Sequence, residues 1–222
     1  MNGLFVTGTG TGVGKTVVAA VIARALVTEG RRVSVFKPAV TGLDEPGEAD
    51  HALLRRAAGS NQSDGEIAPY RYGPPASPHL AARLAGERIE REQLIAAAQA
   101  AAATADIVVC EGVGGLLVPL SPDYLVRDFA VDLELPLVIA ASPGLGTINH
   151  TLLTIEAARE ADLEIETVVL TPWPEQPGAI EESNRETITA SSGVEVETLP
   201  RLALSDPGNW SVDWRLIRRI AG

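Results

Sequence analysis

The stretch VTGTGTGVGKT, residues 6–16, stands between two apolar runs and carries one charge, Lys15, near its end. Its alternating glycines leave successive backbone N–H groups free to turn inward on phosphate oxygens. A helix starting at Gly-Lys-Thr adds a favourable dipole for an anion. The common phosphate-binding spacing, Gly-x-x-x-x-Gly-Lys-Ser/Thr, would put glycine at position 9, which is Thr9. Gly8 therefore stands one residue further from Gly14 than that motif has it. The phosphate reading survives the shift: Gly12, Val13, Gly14, Lys15, Thr16 and Val17 are expected to hold a nucleotide. Lys15 would reach the outer phosphates, and the Thr16 hydroxyl would ligate Mg2+.

Working outward, strands and helices alternate. Strands are expected at 3–7, 32–37, 106–112, 135–142, 165–171 and 194–200. Helices are expected at 16–30, 48–58, 77–86, 91–104, 125–133, 147–161 and 178–191. Ser77 is expected to cap the third of these, with Pro78 at its first helical position. A last helix, capped by Ser211 and carrying Arg218 and Arg219, closes the series. The strands are continuous apolar runs, as in a parallel sheet covered on both faces. The fold class is therefore α/β: a doubly wound, mainly parallel sheet flanked by helices, with residues 1–222 forming a single domain. Residues 59–78 read as the longest irregular stretch, and such stretches are more often functional than idle.

The net charge of −11 at pH 7 argues against a nucleic-acid or anionic-membrane partner, since both need a basic face. No apolar run is long enough to span a membrane. The N-terminus does not read as a secretory signal. A single cysteine fits a reducing compartment, so a cytoplasmic location is expected. Of the 18 basic side chains only Lys15 and Lys37 are lysine, and both follow strand-like runs. Lysine is a compact point charge on a flexible stem, arginine a rigid fork.

In open α/β sheets ligands lie beyond the carboxyl ends of the strands. After the second strand, Lys37 either faces a phosphate or an anionic substrate, or lies on a solvated turn. Thr41 is placed to donate to a substrate oxygen. After the strand at 106–112, Glu111 is a candidate Mg2+ ligand, followed by Gly112, Val113 and Gly114. Asp50 is either a second ligand or an acid favoured by its helix dipole. Cys110 has no neighbouring base and reads as a small core residue. Thr147, Ile148 and Asn149 open a helix after a glycine turn. Their N–H groups either bind a carboxylate or are served by Thr147 as a cap. His51, His79 and His150 lack metal-ligand spacing.

Taken in order, VTGTGTGVGKT, FKPAVTG, EADHALL, PPASPHLAA, CEGVGGLLVPL and GLGTINHTLLT resemble the dethiobiotin synthetases, P-loop enzymes of biotin biosynthesis. The resemblance covers about two-thirds of the chain, and the longer glycine loop is a mark of that family. It implies an ATP-dependent cyclo-ligase acting on 7,8-diaminononanoate and CO2, with Mg2+ as cofactor and a nucleoside triphosphate as co-substrate. A carbamate attacks the γ-phosphate, and the second amine then displaces phosphate from the mixed anhydride. Lys15 and Lys37 would be catalytic, with Mg2+ on Thr16, Asp50 and Glu111. Thr11, Lys37 and Thr41 would face the carbamate. Thr147, Ile148 and Asn149 would hold the distal carboxylate from the other subunit of a homodimer.

Two positions depart from the family pattern. Gly12 replaces a frequent acidic residue. Thr171-Pro172 replaces the Asn-Asp whose amide makes the paired contact adenine wants. Thr171, Pro172, Pro200, Arg201 and Leu202 are the expected base pocket. Triphosphate binding is expected, whereas an adenine-specific contact from this strand end is not. A competing reading is a ParA- or MinD-like ATPase switch. Such switches usually carry a lysine where this chain has Gly10, and they use a basic surface or a membrane-binding tail. Another rival, a glutamine-using amidoligase, needs a further domain with a nucleophilic cysteine.

Overall fold

Leu4 and Val6 of the first strand pack into one apolar layer and Phe5 into another. That is how a strand buried on both faces uses its two-residue side-chain period. The computed structural model describes residues 1–212, 214, 215, 217 and 218. Six strands form its central sheet: β1 (Gly3–Gly8), β2 (Val33–Phe36), β5 (Ile107–Glu111), β8 (Leu137–Ala141), β9 (Ile165–Trp173) and β10 (Val196–Pro200). Their spatial order is β10-β9-β8-β1-β5-β2, and every neighbouring pair is parallel. The chain leaves β1 to one side and later returns to its other side, so the crevice for a ligand opens at the end of β1.

Helices cover both faces. On one, α1 (Lys15–Thr28) and α2 (Asp50–Ala58) bury Val18, Ile22, Leu26, Leu53 and Leu54 against β1, β2 and β5. On the other, α5 (Arg91–Ala103) and α6 (Val126–Leu133) enclose the chain's three phenylalanines. The ring centroids of Phe5 and Phe36 lie 6.0 and 6.1 Å from that of Phe129. Beside β8 and β9, α7 (Thr147–Arg159) and α8 (Ala179–Ser192) close a third cluster around Ile139, Ile155, Val168 and Ile188.

The expected elements as far as β10 are present with ends shifted by a few residues. The differences have local causes. Residues 59–78 are not irregular throughout: they hold α3 (Asp64–Ile67) and β4 (Tyr70–Arg71), which pairs with β3 (Ala39–Val40). Ser63 and Glu66 form a reciprocal capping box on α3, a signature of four residues within a polar run. Ser77 precedes α4 (Pro78–Leu84) as expected, yet its hydroxyl makes no capping bond. A short hairpin, β6 (Pro119–Ser121) with β7 (Tyr124–Leu125), carries too little periodicity to be read from sequence. The strand at 165–171 continues to Trp173. The expected last helix falls largely outside the described residues, which omit 213, 216 and 219–222 and so Arg219. Among those described, no helix is long and apolar enough to cross a membrane.

Candidate functional site

The turn between β1 and α1 requires glycine twice. Gly14 has φ +91°, and a Cβ there would stand 2.6 Å from Thr171 Cγ2, so both backbone and space exclude a side chain. Gly12 has φ +76° with open space around it, so only its backbone favours glycine. The loop borders a cavity of about 750 Å³ at the carboxyl ends of β1, β2 and β5.

The cavity gathers charges from four separate stretches. Lys37 is only 2% exposed, which rules out a solvated turn. Its Nζ lies 2.6 Å from Glu111 Oε1 and 3.0 Å from Asp50 Oδ2. Thr16 Oγ1 donates to the same Glu111 oxygen at 2.8 Å. Lys15, also buried, donates to the Gly10 carbonyl at 2.7 Å. Burying so many charges is costly unless each finds a counter-charge. With both lysines and both carboxylates ionised these four charges balance, so the negative charge of an incoming polyphosphate calls for a cation beside it.

Each charge is tuned by this arrangement. Burial opposes the Lys37 ammonium, but Glu111 and Asp50 outweigh it and hold its pKa above the ordinary lysine value. Burial likewise works against the Asp50 carboxylate, yet Lys37 and Thr16 pull its pKa down. Glu111 is pushed up by burial, against the pull of Lys37. Lys15 is lowered to about 8, chiefly by burial.

Glu111 Oε2 is buried and has no hydrogen-bond partner. A carboxylate oxygen of this kind fits a cation. Among the described residues no group of three His, Cys, Asp or Glu is placed to hold a metal. Asp50, Glu111 and the Thr16 hydroxyl make a sparse oxygen set. Mg2+ suits it, because that ion keeps several waters and takes substrate phosphates as ligands.

A family model described as an AAA domain matches residues 2–207. The ATP-dependent dethiobiotin synthetase BioD of Rhodococcus erythropolis is 39% identical over 95% of this chain and 91% of its own length. The chain belongs to the dethiobiotin synthetase family. A second member, from Anaeromyxobacter dehalogenans, is 45% identical over 77% of this chain and 76% of that protein. The solved structure of Cyanthece apo McdA covers 100% of this chain and 96% of its own with a TM-score of 0.55. At 11% identity that likeness concerns the fold alone.

Of the residues singled out from the sequence, Thr11, Gly12, Gly14, Lys15, Thr16, Val17, Lys37, Thr41, Asp50, Glu111, Val113 and Gly114 line this one cavity. Val13 packs against the core beneath the loop, and the Gly112 carbonyl accepts from Lys37 Nζ at 3.4 Å. Cys110 is fully buried, and burial pushes its thiol well up, as for a core residue. Thr171 is buried behind Gly14, while Pro172, Pro200 and Arg201 are exposed at the ends of β9 and β10. Leu202 packs on the core. Thr147 does not cap its helix: Gly146 takes that position, and the Thr147 hydroxyl is buried 3.4 Å from that of Thr151. Thr147, Ile148 and Asn149 are not among the residues lining the cavity.

Sequence reasoning missed Glu45, Glu48, Pro75, Ser77 and Leu204, which also line it. For Pro75 and Ser77 the signal was the polar stretch at 59–78. Glu45 and Glu48 sit in an acidic run that by itself reads as solvated surface. Leu204 has no local signal at all.

Proposed function

We propose that this chain makes dethiobiotin from 7,8-diaminononanoate, CO2 and a nucleoside triphosphate, as its family name indicates. The observation that carries the reading is the buried set of Lys37, Glu111, Asp50 and Thr16 beside Lys15 in one cavity. Phosphoryl transfer needs little covalent chemistry from the protein; it needs positioning and charge stabilisation. The loop amides and Lys15 bind the triphosphate. Lys37, held between two carboxylates, stabilises charge on the transferred phosphoryl group and on the carbamate. Thr11 and Thr41 orient the carbamate end for in-line attack on the γ-phosphate. Thr16, Asp50 and Glu111 would hold Mg2+, which would supply positive charge against the phosphates. The second amine of the substrate then closes the ring and releases phosphate.

The working unit in this reading is a homodimer. Residues 147–149 lie outside their own chain's cavity, which is consistent with a carboxylate site at the start of α7 that serves a substrate seated in the other copy. Leu145, just before α7, is 96% exposed, and Leu153 of α7 and Ile180 of α8 are more than half exposed, which is apolar surface for a second copy to cover. The base lies toward the strap after β10, where Leu204 lines the cavity while Thr171, Pro172 and residues 200–202 stand outside its lining.

The test is incubation with diaminononanoate, bicarbonate, Mg2+ and ATP, with dethiobiotin followed by mass. Product formation supports the reading. ATP hydrolysis without product would instead favour the ATPase-switch reading.

A further inference from the structure

Arg56 ties together two parts of the cavity wall that are far apart in sequence. Its Nε and Nη2 donate to the two oxygens of Glu48 at 3.2 and 2.6 Å. Its Nη1 donates to the carbonyls of Leu204 at 2.8 Å and Ser205 at 3.0 Å. Glu48 and Leu204 both line the cavity, as do Val17, Asp50 and Leu53. The anchor is firm, because Leu54, Ala57 and Ala58 of the same helix are buried in the core. On the far side, Trp210 Nε1 donates to the Ala203 carbonyl at 2.9 Å, so the strap after β10 is held from both directions.

The arrangement uses what is particular to arginine, a planar fork whose donors point in fixed directions. A half-exposed ion pair with Glu48 adds little stability by itself. Bonds to two successive carbonyls, by contrast, fix where Leu204 stands. Lys15, Thr16 and the loop amides provide for the phosphates, and Thr41 and Ser77 for polar substrate groups. Leu204, Leu53 and Val17 are apolar and suit a ribose and base.

We propose that Arg56 is a positioning residue for the nucleotide: it holds Leu204 over the ribose–base end, next to Val17 and Leu53. This rests on the cavity being the nucleotide site. Arg56 acts through the strap and is not a catalytic residue.

The test compares ATP with inorganic tripolyphosphate, which fills a phosphate loop but has neither ribose nor base. Binding of each, with Mg2+, is measured by calorimetry for wild type, Arg56→Gln and Leu204→Ala. Both variants are expected to bind ATP about tenfold more weakly and to keep their tripolyphosphate affinity. Leu204→Ala leaves all four Arg56 bonds in place, so it tests the cover even where Arg56→Gln folds poorly. Unchanged ATP affinity in Leu204→Ala overturns the proposal. So does an equal loss of both ligands in Arg56→Gln, which would make that residue a support for Asp50 and its helix. Lys15→Ala should weaken both ligands together. A wild-type chain binding neither would refute the nucleotide site itself, and the proposal with it.

Discussion

Lys37 Nζ lies 2.6 Å from Glu111 Oε1, and both side chains are almost wholly out of solvent. The pair joins the end of β2 to the end of β5 and leaves the second Glu111 oxygen without a partner. Such a pair is held ready for an anion and a cation.

Lys37→Ala should abolish turnover while nucleotide affinity stays within about tenfold, because Lys15 and the loop amides remain. The substitution also strands Glu111 as a buried carboxylate without its cation, at a cost of about 3–5 kcal/mol. The Glu111 pKa should then rise further, so the variant should gain stability as the pH falls. Product assays, nucleotide titration and urea unfolding at two pH values check these points. Ordinary activity would sink the role assigned to Lys37.

Glu111→Gln keeps the shape and removes the charge. It should lower the rate by two orders of magnitude or more and shift the Mg2+ requirement to higher concentration, as loss of a metal contact does. An unchanged Mg2+ titration would exclude Glu111 as a ligand.

Lys15, with a pKa of about 8 in the free protein, sets a pH dependence. Burial depresses it, and a bound polyphosphate must raise it again. Below pH 8 the ammonium is already present, so affinity is flat with respect to this group. Above pH 8 binding must take up a proton, and affinity should fall by up to about tenfold per pH unit. Calorimetry in buffers of different ionisation heat should detect that uptake at pH 8.5 and not at pH 6.5.

Gly14→Ala and Gly12→Ala separate space from backbone. Both strain a positive φ, by about 1–2 kcal/mol, but only Gly14 has Thr171 against it. Gly14→Ala should lose most nucleotide binding, and Gly12→Ala should keep it within a few-fold. Equal effects in titrations of the two variants would mean that Thr171 yields easily.

Thr171-Pro172 at the end of β9 has no side-chain amide to pair with adenine. ATP, GTP and CTP at equal concentration should therefore support turnover within about tenfold of one another. An exclusive preference for ATP would contradict this.

Much of the fold could be read from the chain because its signals are local. Continuous apolar runs between capped helices mean a parallel sheet, and glycines before Gly14-Lys15-Thr16 mean a phosphate loop. The hairpin at Pro119–Leu125 is not legible in the sequence, because strands of two or three residues have no period to recognise. A hydroxyl at the start of a helix reads as well as a cap as it does as part of an anion site, so Thr147 stays open from sequence alone. The preceding Gly146, with φ +92°, already served that place.

By itself the sequence determined the sheet, the loop and the family, all of which depend on order and spacing along the chain. The tertiary structure decided that Lys37 is buried between Glu111 and Asp50, and that Leu204 is drawn to the cavity by Arg56. Those contacts join residues 74 and 148 positions apart. No local propensity encodes such meetings. The first follows from the strand order, which brings the ends of β1, β2 and β5 to one crevice, and the second from the stretch after β10, which crosses from the far edge of the sheet to α2.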